Sequence, residues 1–368
     1  MSTKKDNSNQ KDNYYMKLAF KLAEDNYGLT GENPSVGCVI VKNNELISTG
    51  KTGINGKPHA EFNAIKLCKE NLRGSKIYVS LEPCTHYGKT PPCSKLIIKS
   101  KIKEVIFSII DIDKRTANKS FKIFKKHNIK VKSGILKKEG KIFYKSYLFN
   151  KIKKLPFVTG KLAVSNDNFI VSNKKKRITN EYSDNITQLL RYRNDSILIS
   201  SKTLNMDNPK LNCRLQGLSS FAPRRIILDR NLSINNNSFI CSTANTKNTV
   251  IFYNKGSMSR INQLTRKGIK LIKLPINKTN FFDLKLILSK IYSLGCRNLL
   301  VEGGKNLTNS FLSNNLFNQF YLFKSSTKFG SNGKLNVTNE LHKLNYIYKR
   351  SKKLNTYSDK DIIKLYSK

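Results

Sequence analysis

The sequence predicts an α/β protein made of two unlike domains, and three observations support this fold class. The chain has 368 residues, more than a single ordinary core holds. Strand-like and helix-like patterns alternate along both halves. A basic segment, NKIKKLP at 150–156, interrupts this alternation near the middle. We therefore predict domains at 1–150 and 151–368, and because no internal repeat is found, the two should differ in fold.

The first half opens with a helical stripe of apolar residues between 14 and 23. A hairpin is predicted around Asn43 and Asn44, between the strands CVIVK and ELIST. The later elements, in order, are the helix HAEFNAIKLCKE, the strand KIYVSL, the helix CSKLIIKS, the strand EVIFSII, the helix SFKIFKKH and the strand IKVKSGIL. This order is typical of a sheet covered by helices.

The second half continues the alternation after the basic segment. Its predicted strands are FVTGKLAVS, SILIS, RRIILD, TVIFY, NLLVEGG and FNQFYLF, with helices near ITQLLRYR and LKLILSKIYSLG. Short apolar strands separated by helices again favour an α/β domain.

The composition favours a cytoplasmic protein. The first residues, MSTKKDNSNQKDN, are polar, and no uncharged run approaches the roughly 18 residues of a membrane span. Seven cysteines, an odd number scattered over a long chain, do not predict a disulfide framework. Paired cysteines are therefore expected to serve metal binding or catalysis.

The net charge of +44 raises the question of a nucleic-acid partner. Residues 1–150 hold 29 basic and 13 acidic side chains, and residues 151–368 hold 39 and 11, so neither half concentrates the charge. A nucleic-acid surface would gather basic residues on one face. We interpret the charge as compositional drift and expect neither a nucleic-acid nor a membrane partner.

A candidate metal site is formed by two short motifs, PHAE at 58–61 and LEPCTHYGKTPPC at 81–93. A zinc-dependent deaminase needs three protein ligands, an open position for water, and a carboxylate that moves the proton without binding the metal. His59, Cys84 and Cys93 supply the ligands, and Glu61 lies at the start of the same predicted helix as His59. The combination predicts one zinc ion per chain and loss of a ring amino group as ammonia, with Glu61 as the catalytic proton carrier.

Two alternatives remain open on these motifs. A closed structural zinc site in a basic binding protein would need a fourth ligand, for which His86 is the nearby candidate, and would have no use for Glu61. A deaminase of nucleic-acid or nucleoside bases, with a degenerate second domain, usually has Pro-Cys-x-x-Cys, whereas eight residues separate Cys84 from Cys93 here.

The motifs NPSVGCVIVK, PHAE and LEPCTHYGKTPPC resemble the deaminase domain of the bifunctional riboflavin-biosynthesis deaminase and reductase. The resemblance implies a cytidine-deaminase-like three-layer α/β/α fold and a small-molecule phosphoribosylamino-pyrimidine as substrate. It also implies that Asn33 contacts the pyrimidine side and that His86 and Lys89 hold the ribose phosphate. A lysine is suited to phosphate because its charge is compact.

Five segments of the second half follow in the order found in the reductase domain of the same family: GKLAVSND, ITNEYSDNITQLLRYR, SSKTLNMDNPKLNCRL, RRIILD and NLLVEGGKNL. The resemblance, which covers nearly the whole chain, implies a fold similar to dihydrofolate reductase and NADPH-dependent reduction of the ribose to a ribityl group. The residues implied to face the substrate are Arg191, Leu211, Arg214 and Glu302. Those implied to face NADPH are Ala163, Thr203, Asp207, Gly304, Lys305, Asn306, Leu307, Thr308, Asn309 and Ser310. We also expect a homo-oligomer.

Three segments depart from the family pattern. The family continues after EVIFSII with Asp-Pro-x-Pro and two glycines, whereas this chain reads DIDKRTANKS from Asp111. An expected Asp-Gly appears as Asp167 and Asn168, and an expected Ser-x-Trp pair appears as Lys175 and Arg177. We expect a changed rim of the deaminase pocket and weaker binding of cofactor or phosphate, with Arg177 still able to stack on a planar ring.

Overall fold

The computed structural model describes residues 2–88, 91–174, 177–354 and 360–368, with side chains from residue 9 onward. The chain divides into two compact units, Met1–Lys154 and Leu155–Lys368, called unit 1 and unit 2 below. No helix of the described residues has both the length and the apolar character needed to cross a lipid bilayer.

Unit 1 is built on a five-stranded sheet with the order β2-β1-β3-β4-β5. The hairpin β1–β2 and the pair β1–β3 are antiparallel, and β3, β4 and β5 are parallel. In chain order the elements are α1 (Ser2–Asp25), β1 (Gly37–Lys42), β2 (Glu45–Lys51), α2 (Ala60–Leu67), β3 (Lys76–Leu81), α3 (Cys93–Lys99), β4 (Glu104–Ile109), α4 (Lys119–Lys126), β5 (Lys130–Ser133), α5 (Lys137–Phe143) and α6 (Lys145–Lys153).

Both faces of this sheet are covered because alternate residues of each strand point to opposite sides. In β1, Val39 and Val41 belong to the core shared with α1, whereas Cys38 and Ile40 belong to the core shared with α2, α3 and α4. The near-continuous apolar sequence of β1 is thus explained by burial on both sides. Unit 1 is a three-layer α/β/α structure, which the family resemblance implied.

Unit 2 contains a nine-stranded sheet with the order β11-β10-β9-β8-β12-β6-β13-β16-β15, and a separate pair β14-β7. Its first elements are β6 (Phe157–Val164), β7 (Phe169–Ser172), α7 (Glu181–Tyr192), β8 (Ser196–Ser200), α8 (Ser201–Asp207), β9 (Arg224–Leu228), α9 (Phe239–Ser242), β10 (Thr249–Tyr253) and α10 (Met258–Arg266). The later elements are β11 (Lys270–Lys273), α11 (Leu284–Ser293), β12 (Asn298–Val301), α12 (Lys305–Ser313), β13 (Gln319–Lys324), β14 (Gly333–Asn336), α13 (Thr338–Ile347), β15 (Arg350–Lys353) and β16 (Ile362–Ser367).

The α/β fold class is confirmed in both units, but the predicted linker at 150–156 is wrong for its first four residues. Helix α6 continues through Lys153 and ends at Lys154, whose φ of +55° is left-handed. The lysines of this helix concealed its buried face, which includes Tyr147 and Asn150. The chain divides after Lys154, whereas the predicted boundary follows Asn150.

Helix α2 lies unusually close to strand β2, and Gly50 makes this possible. A Cβ atom built on Gly50 would lie 2.3 Å from the carbonyl oxygen of Ala60 and 2.5 Å from the backbone nitrogen of Ala64. A side chain at this position would therefore push α2 away from the sheet. The first turn of α2 carries Glu61, so this contact fixes the carboxylate next to the candidate metal ligands.

Candidate active sites

The three candidate metal ligands of unit 1 come together from separate elements. His59 precedes the first residue of α2, Cys84 follows β3, and Cys93 is the first residue of α3. His59 Nδ1 lies 3.5 Å from Cys84 Sγ and 3.4 Å from Cys93 Sγ. The ligand atoms of all three residues lie within 4.8 Å of one another, which is close enough to hold one metal ion.

The surroundings of the two sulfurs favour a thiolate at this site. The Cys93 thiol and the His59 ring hydrogen-bond to Cys84, and the Cys93 backbone N–H donates to Cys84 Sγ at 3.3 Å; these contacts lower the pKa of Cys84. The same pairing, together with burial, raises the pKa of Cys93. One negative charge is thus already favoured without a cation, and a bound cation would favour the second.

Glu61 lies beside the ligands without being one of them. The group of possible ligands found among the described residues consists of the histidine and the two cysteines only. Glu61 is buried, and burial followed by the Cys84 charge raises the pKa of its carboxyl to about 7. A carboxyl with that pKa exchanges a proton easily near neutral pH, as a proton carrier must.

His86 does not complete a closed site. Its Nδ1 atom lies 3.1 Å from Thr116 Oγ1, on the loop after β4, and the three-membered ligand group of the described residues does not include it. An imidazole and two thiolates are donors that zinc prefers, and three protein ligands are typical of catalytic zinc. The donor set therefore fits a catalytic zinc ion.

A cavity of about 580 Å³ opens next to these residues, large enough for a nucleotide-sized substrate. His59, Glu61 and Cys84 line it, together with two residues predicted to contact substrate, Asn33 and His86. Asn33 is held in place because its Nδ2 atom donates to the carbonyl of Gly56 at 3.0 Å. The third predicted contact, Lys89, lies outside the described residues.

The loop at 110–118, where the family pattern is lost, is fixed by Glu82. This buried carboxylate accepts hydrogen bonds from the backbone N–H groups of Asp111, Asn118 and Ser120, and from the Ser120 hydroxyl. Asn118 has φ of +58°, a left-handed conformation that glycine adopts freely and that asparagine tolerates better than most residues. The loop keeps a defined shape even though its prolines and glycines are gone.

In unit 2, two residues predicted to face the substrate are joined to each other. Arg191 on α7 donates from Nε to Glu302 Oε1 at 2.7 Å and from Nη2 to Glu302 Oε2 at 2.8 Å. Burial opposes the charge on Glu302, but Arg191, then Lys161 and Arg214, lower the pKa of its carboxyl. The predicted residues Arg191, Arg214 and Glu302 therefore belong to one charged cluster.

Lys161 is the residue of this cluster that the sequence analysis missed. It lies on β6 near Glu302, and its ammonium group is 5.0 Å from the centre of the Phe323 ring. Burial lowers the pKa of Lys161. By its exposed surface, Lys161 is partly buried. A lysine inside the otherwise apolar strand FVTGKLAV was the signal available in the sequence, because lysine seldom lies in such a strand without a charged partner.

The two remaining residues predicted to contact the substrate, Leu211 and Arg214, differ in the exposure of their side chains. Leu211 has φ of +52°, an unusual conformation for leucine, and its side chain is buried in the core. Only its backbone is thus free to contact a ligand. Arg214 is exposed, and its backbone N–H donates to Gln188 Oε1 at 3.0 Å while Nη1 is 3.4 Å from Asn212 Oδ1.

Four of the residues predicted to face NADPH are distributed over three elements. Thr203 and Asp207 are four residues apart on α8 and therefore share a face of that helix. Ala163 on β6 shares a strand face with Lys161. Thr203 is also close to Gly304, since a Cβ atom built on Gly304 would lie 3.8 Å from Thr203 Oγ1 and would meet no nearer atom.

The space in front of Gly304 fits a dinucleotide phosphate, because open volume there adjoins the beginning of a nine-residue helix.

The residues after Gly304 that are predicted to face NADPH differ in their contacts and in the exposure of their side chains. Lys305 donates to the Asn336 carbonyl, Leu307 and Thr308 are buried, and Asn306 and Asn309 are exposed. Asn309 accepts a hydrogen bond from Lys343, and Ser310 donates to the Asn306 carbonyl. These contacts leave the first turn of α12, including its backbone N–H groups, as the part of the segment best suited to an anion.

Two segments of unit 2 depart from the family pattern, one at Asp167 and Asn168 and one at Lys175 and Arg177, and the structure accommodates them differently. Asn168 has φ of +66° and so adopts the conformation that the expected glycine would supply, with Asp167 accepting hydrogen bonds from the N–H groups of Phe329 and Gly330. Arg177 Nη1 lies 3.6 Å from Asp184 Oδ2, and both side chains are at least one third exposed. Lys175 lies outside the described residues.

Two family models match the chain. The cytidine and deoxycytidylate deaminase zinc-binding region matches residues 9–109, and the RibD C-terminal domain matches residues 156–358. The riboflavin biosynthesis protein RibD of Bacillus amyloliquefaciens is 34% identical over 313 residues, which is 84% of this chain and 83% of that protein. The protein of the same name from Aquifex aeolicus is 32% identical over 85% of this chain and 86% of its own length.

Solved structures match over nearly the full length. RibD of Acinetobacter baumannii, form 2, has a TM-score of 0.82 and 26% identity, covering 98% of this chain and 99% of that one. A diaminohydroxyphosphoribosylaminopyrimidine deaminase/5-amino-6-(5-phosphoribosylamino)uracil reductase from Thermotoga maritima has a TM-score of 0.80 and 28% identity, covering 97% and 99%. Both similarities extend across unit 1 and unit 2.

Proposed function

Since this chain belongs to the family of riboflavin biosynthesis protein RibD, a bifunctional deaminase and reductase, we propose that its unit 1 uses zinc and its unit 2 uses NADPH. The chain is an enzyme with both activities. We assign hydrolytic deamination of 2,5-diamino-6-(5-phosphoribosylamino)pyrimidin-4-one to unit 1 and reduction of the ribosyl group to ribityl to unit 2. A nucleic-acid or nucleoside deaminase with a degenerate second domain is not favoured, because residues 156–358 match a reductase domain.

The deaminase proposal depends on one observation: three ligand atoms lie within 4.8 Å of one another, next to the buried carboxyl of Glu61. His59, Cys84 and Cys93 would hold the zinc ion, which lowers the pKa of a coordinated water so that a nucleophile is available near neutral pH. Glu61 accepts a proton from the attacking water and donates it to the amino group that leaves as ammonia. Asn33 holds the pyrimidine ring at the cavity wall, and His86 faces the ribose phosphate.

For the reductase, the charged cluster supports binding of a phosphorylated sugar. Arg191 is held in one orientation by Glu302, and Arg214 lies nearby, so the pair can clamp a phosphate. The backbone of Leu211 would contact the same substrate. Lys161, whose ammonium interacts with the charge of Glu302 and lies 5.0 Å from the centre of the Phe323 ring, is suited to hold the ribose oxygen near the cofactor.

The open space before α12 supports the NADPH assignment. Thr203, Asp207, Ala163 and the segment from Gly304 to Ser310 would bind the cofactor, which supplies the hydride for reduction. Gly304 and the first N–H groups of α12 would face the pyrophosphate. We further propose that the enzyme acts in the cytoplasm as a homo-oligomer, with a small molecule rather than nucleic acid as its ligand.

The test is to supply the diamino phosphoribosylamino-pyrimidinone and follow ammonia release and NADPH absorbance in one sample. Ammonia should appear first, and NADPH should be consumed in equal amount. A chelator should stop ammonia release from this substrate, whereas NADPH consumption should continue when the deaminated intermediate is supplied. NADPH consumption that stops with the chelator on both substrates would contradict the assignment of zinc to unit 1 alone.

A further inference from the structure

The rim of the deaminase cavity contains two loops that are joined to each other. Thr85 Oγ1 donates to the carbonyl of Arg115 at 3.0 Å, and His86 Nδ1 is 3.1 Å from Thr116 Oγ1. The segment between Cys84 and Cys93 is thus fastened to the loop that departs from the family pattern. Arg115 therefore lies beside His86 at the mouth of the cavity.

A single carboxylate holds two cations at this rim. Asp113 accepts from Arg115 Nε at 2.9 Å and from Arg115 Nη2 at 2.7 Å, and it accepts from Lys151 Nζ at 3.2 Å. The Arg115 contact, followed by that of Lys151, lowers the pKa of Asp113, so the carboxylate stays ionised. Within this group of three side chains, two positive charges share one negative charge. The lining of the whole cavity also includes the acids Glu32, Glu61, Glu82 and Asp111.

Both cations line the same cavity as His59 and Glu61. The Arg115 side chain is 61% exposed and that of Lys151 is 28% exposed, so a ligand in the cavity can reach them. Within the described part of the chain, no hydrogen bond uses Arg115 Nη1, which leaves one edge of the guanidinium for a further acceptor. Asp113 fixes the opposite edge and so limits the entropy lost when a ligand binds.

Of the other acids that line this cavity, Asp111 is the nearest in sequence to Asp113, and it is already engaged. Asp111 accepts from the Tyr147 hydroxyl at 2.9 Å and from the Asp113 N–H at 3.0 Å, and burial raises the pKa of its carboxyl. The acid therefore competes weakly for Arg115 and Lys151.

We propose that Arg115 and Lys151, oriented by Asp113, bind the phosphate of the deaminase substrate and select the phosphorylated pyrimidine over its dephosphorylated form. This inference depends on the proposed deaminase function. A planar guanidinium with a free edge is suited to a phosphate, and an ammonium beside it adds the second charge that a dianion needs. Arg115 lies in the segment DIDKRTANKS, which departs from the family pattern, and Lys151 lies on α6.

The test compares deamination of the phosphorylated substrate with that of the same compound lacking the phosphate. The wild-type enzyme should prefer the phosphorylated substrate in kcat/KM, and Arg115→Gln or Lys151→Gln should each reduce that preference about 10-fold or more, mainly through KM. Arg115→Lys should restore part of the preference, since it keeps the charge but loses the planar fork. Inorganic phosphate should compete with the phosphorylated substrate in the wild type and more weakly in Arg115→Gln.

Matched controls separate this proposal from a loss of structure or of function. Arg73→Gln and Lys99→Gln remove exposed cations of unit 1 that do not line this cavity, and they should leave the preference unchanged. Zinc content and the thermal midpoint of each variant should match the wild type within about 5 °C. An unchanged preference in Arg115→Gln and Lys151→Gln, or an equal loss on both substrates, would overturn the phosphate assignment. A wild type that releases no ammonia from either substrate would instead contradict the proposed function.

Discussion

Arg191 and Glu302 lie face to face in unit 2, joined by two parallel hydrogen bonds of 2.7 and 2.8 Å. Their side chains are only 11% and 13% exposed, so neither charge is solvated well without the other. Lys161 and Arg214 add positive charge around the same carboxylate. The pair therefore fixes the orientation of the Arg191 guanidinium within the charged cluster of unit 2.

We expect Glu302→Gln to lower the free energy of unfolding by about 3 kcal/mol, because removing one partner leaves a buried charge uncompensated. NADPH consumption should fall strongly, whereas ammonia release should remain. Denaturant unfolding followed with both activities checks this. The control is Glu24→Gln, which removes an exposed ion pair with Lys21 in unit 1 and should change stability by less than about 1 kcal/mol.

The pH dependence of this effect has a definite sign. The pKa of Glu302 is lowered in the folded protein, so its carboxylate stabilises the fold above its unfolded pKa of about 4.3. That contribution is lost as the pH falls through the lower folded pKa. The stability difference between wild type and Glu302→Gln should thus be full at pH 7 and decline below about pH 4. A stability difference between wild type and Glu302→Gln that increased as the pH fell would contradict the ionised state of Glu302 in the charged cluster.

Glu61→Gln tests the proton carrier of unit 1. The change keeps the shape of the side chain but removes its ability to accept a proton, so kcat for ammonia release should fall about 100-fold or more. Zinc content, measured by atomic absorption, should stay near one per chain because Glu61 is not among the ligands. Glu70→Gln, at an exposed position just beyond α2, should leave both quantities unchanged. Loss of zinc in Glu61→Gln would mean that the carboxylate is a ligand.

The metal site could be predicted from sequence because its parts are local. His59 and Glu61 are two residues apart at the start of a helix, and the two cysteines lie within one proline-rich segment. The charged cluster of unit 2 depends instead on the register between sheet strands that are distant in sequence. Strand β12 pairs in parallel with β6, with Val301 opposite Gly160, and this pairing brings Lys161 close to Glu302. Nothing in the local pattern of FVTGKLAVS specifies that partner.

The rim of the deaminase cavity was beyond prediction for a related reason. The loss of prolines and glycines after Asp111 is evident in the sequence, but the contacts that replace them are not. The hydrogen bonds that define the loop come from Glu82, which lies in an earlier part of the chain. Helix α6 was missed because its lysines hide an apolar face that is evident only once Tyr147 is seen to be buried.

The cysteines of the metal-free enzyme should differ in reactivity. The pKa of Cys84 is lowered by its contacts with Cys93 and His59, whereas burial raises the pKa of Cys296 in unit 2 to about 12. At pH 7 the zinc-stripped enzyme should therefore be alkylated by iodoacetamide at Cys84 well before Cys296. Peptide mass spectrometry measures both sites in one sample. Added zinc should protect Cys84, and equal labelling with and without zinc would argue against Cys84 as a ligand.

Substitutions of Asn118 test how much its left-handed backbone conformation contributes to the stability of the loop at 110–118. With φ of +58°, it adopts a conformation that costs most residues about 1 kcal/mol and glycine almost nothing. Asn118→Ala should thus lower the free energy of unfolding by about 1 kcal/mol, and Asn118→Gly should be nearly neutral. Denaturant unfolding of the two variants provides the comparison. Equal losses in the two variants would show that the Asn118 side chain, rather than the left-handed backbone, fixes the loop.

Gly303 and Gly304 offer a matched pair for testing the cofactor site. A Cβ atom on Gly304 would meet nothing nearer than Thr203 Oγ1 at 3.8 Å, and φ of −72° suits alanine. Gly304→Ala should therefore fold normally yet fill space that the pyrophosphate needs, raising KM for NADPH about 10-fold. A Cβ atom on Gly303 would lie 3.0 Å from Leu307 Cβ, so Gly303→Ala should instead reduce stability by about 1 kcal/mol or more. Steady-state kinetics at varied NADPH and thermal unfolding of both variants distinguish the two effects. An unchanged KM for NADPH in a well-folded Gly304→Ala enzyme would mean that the cofactor phosphate does not approach this backbone.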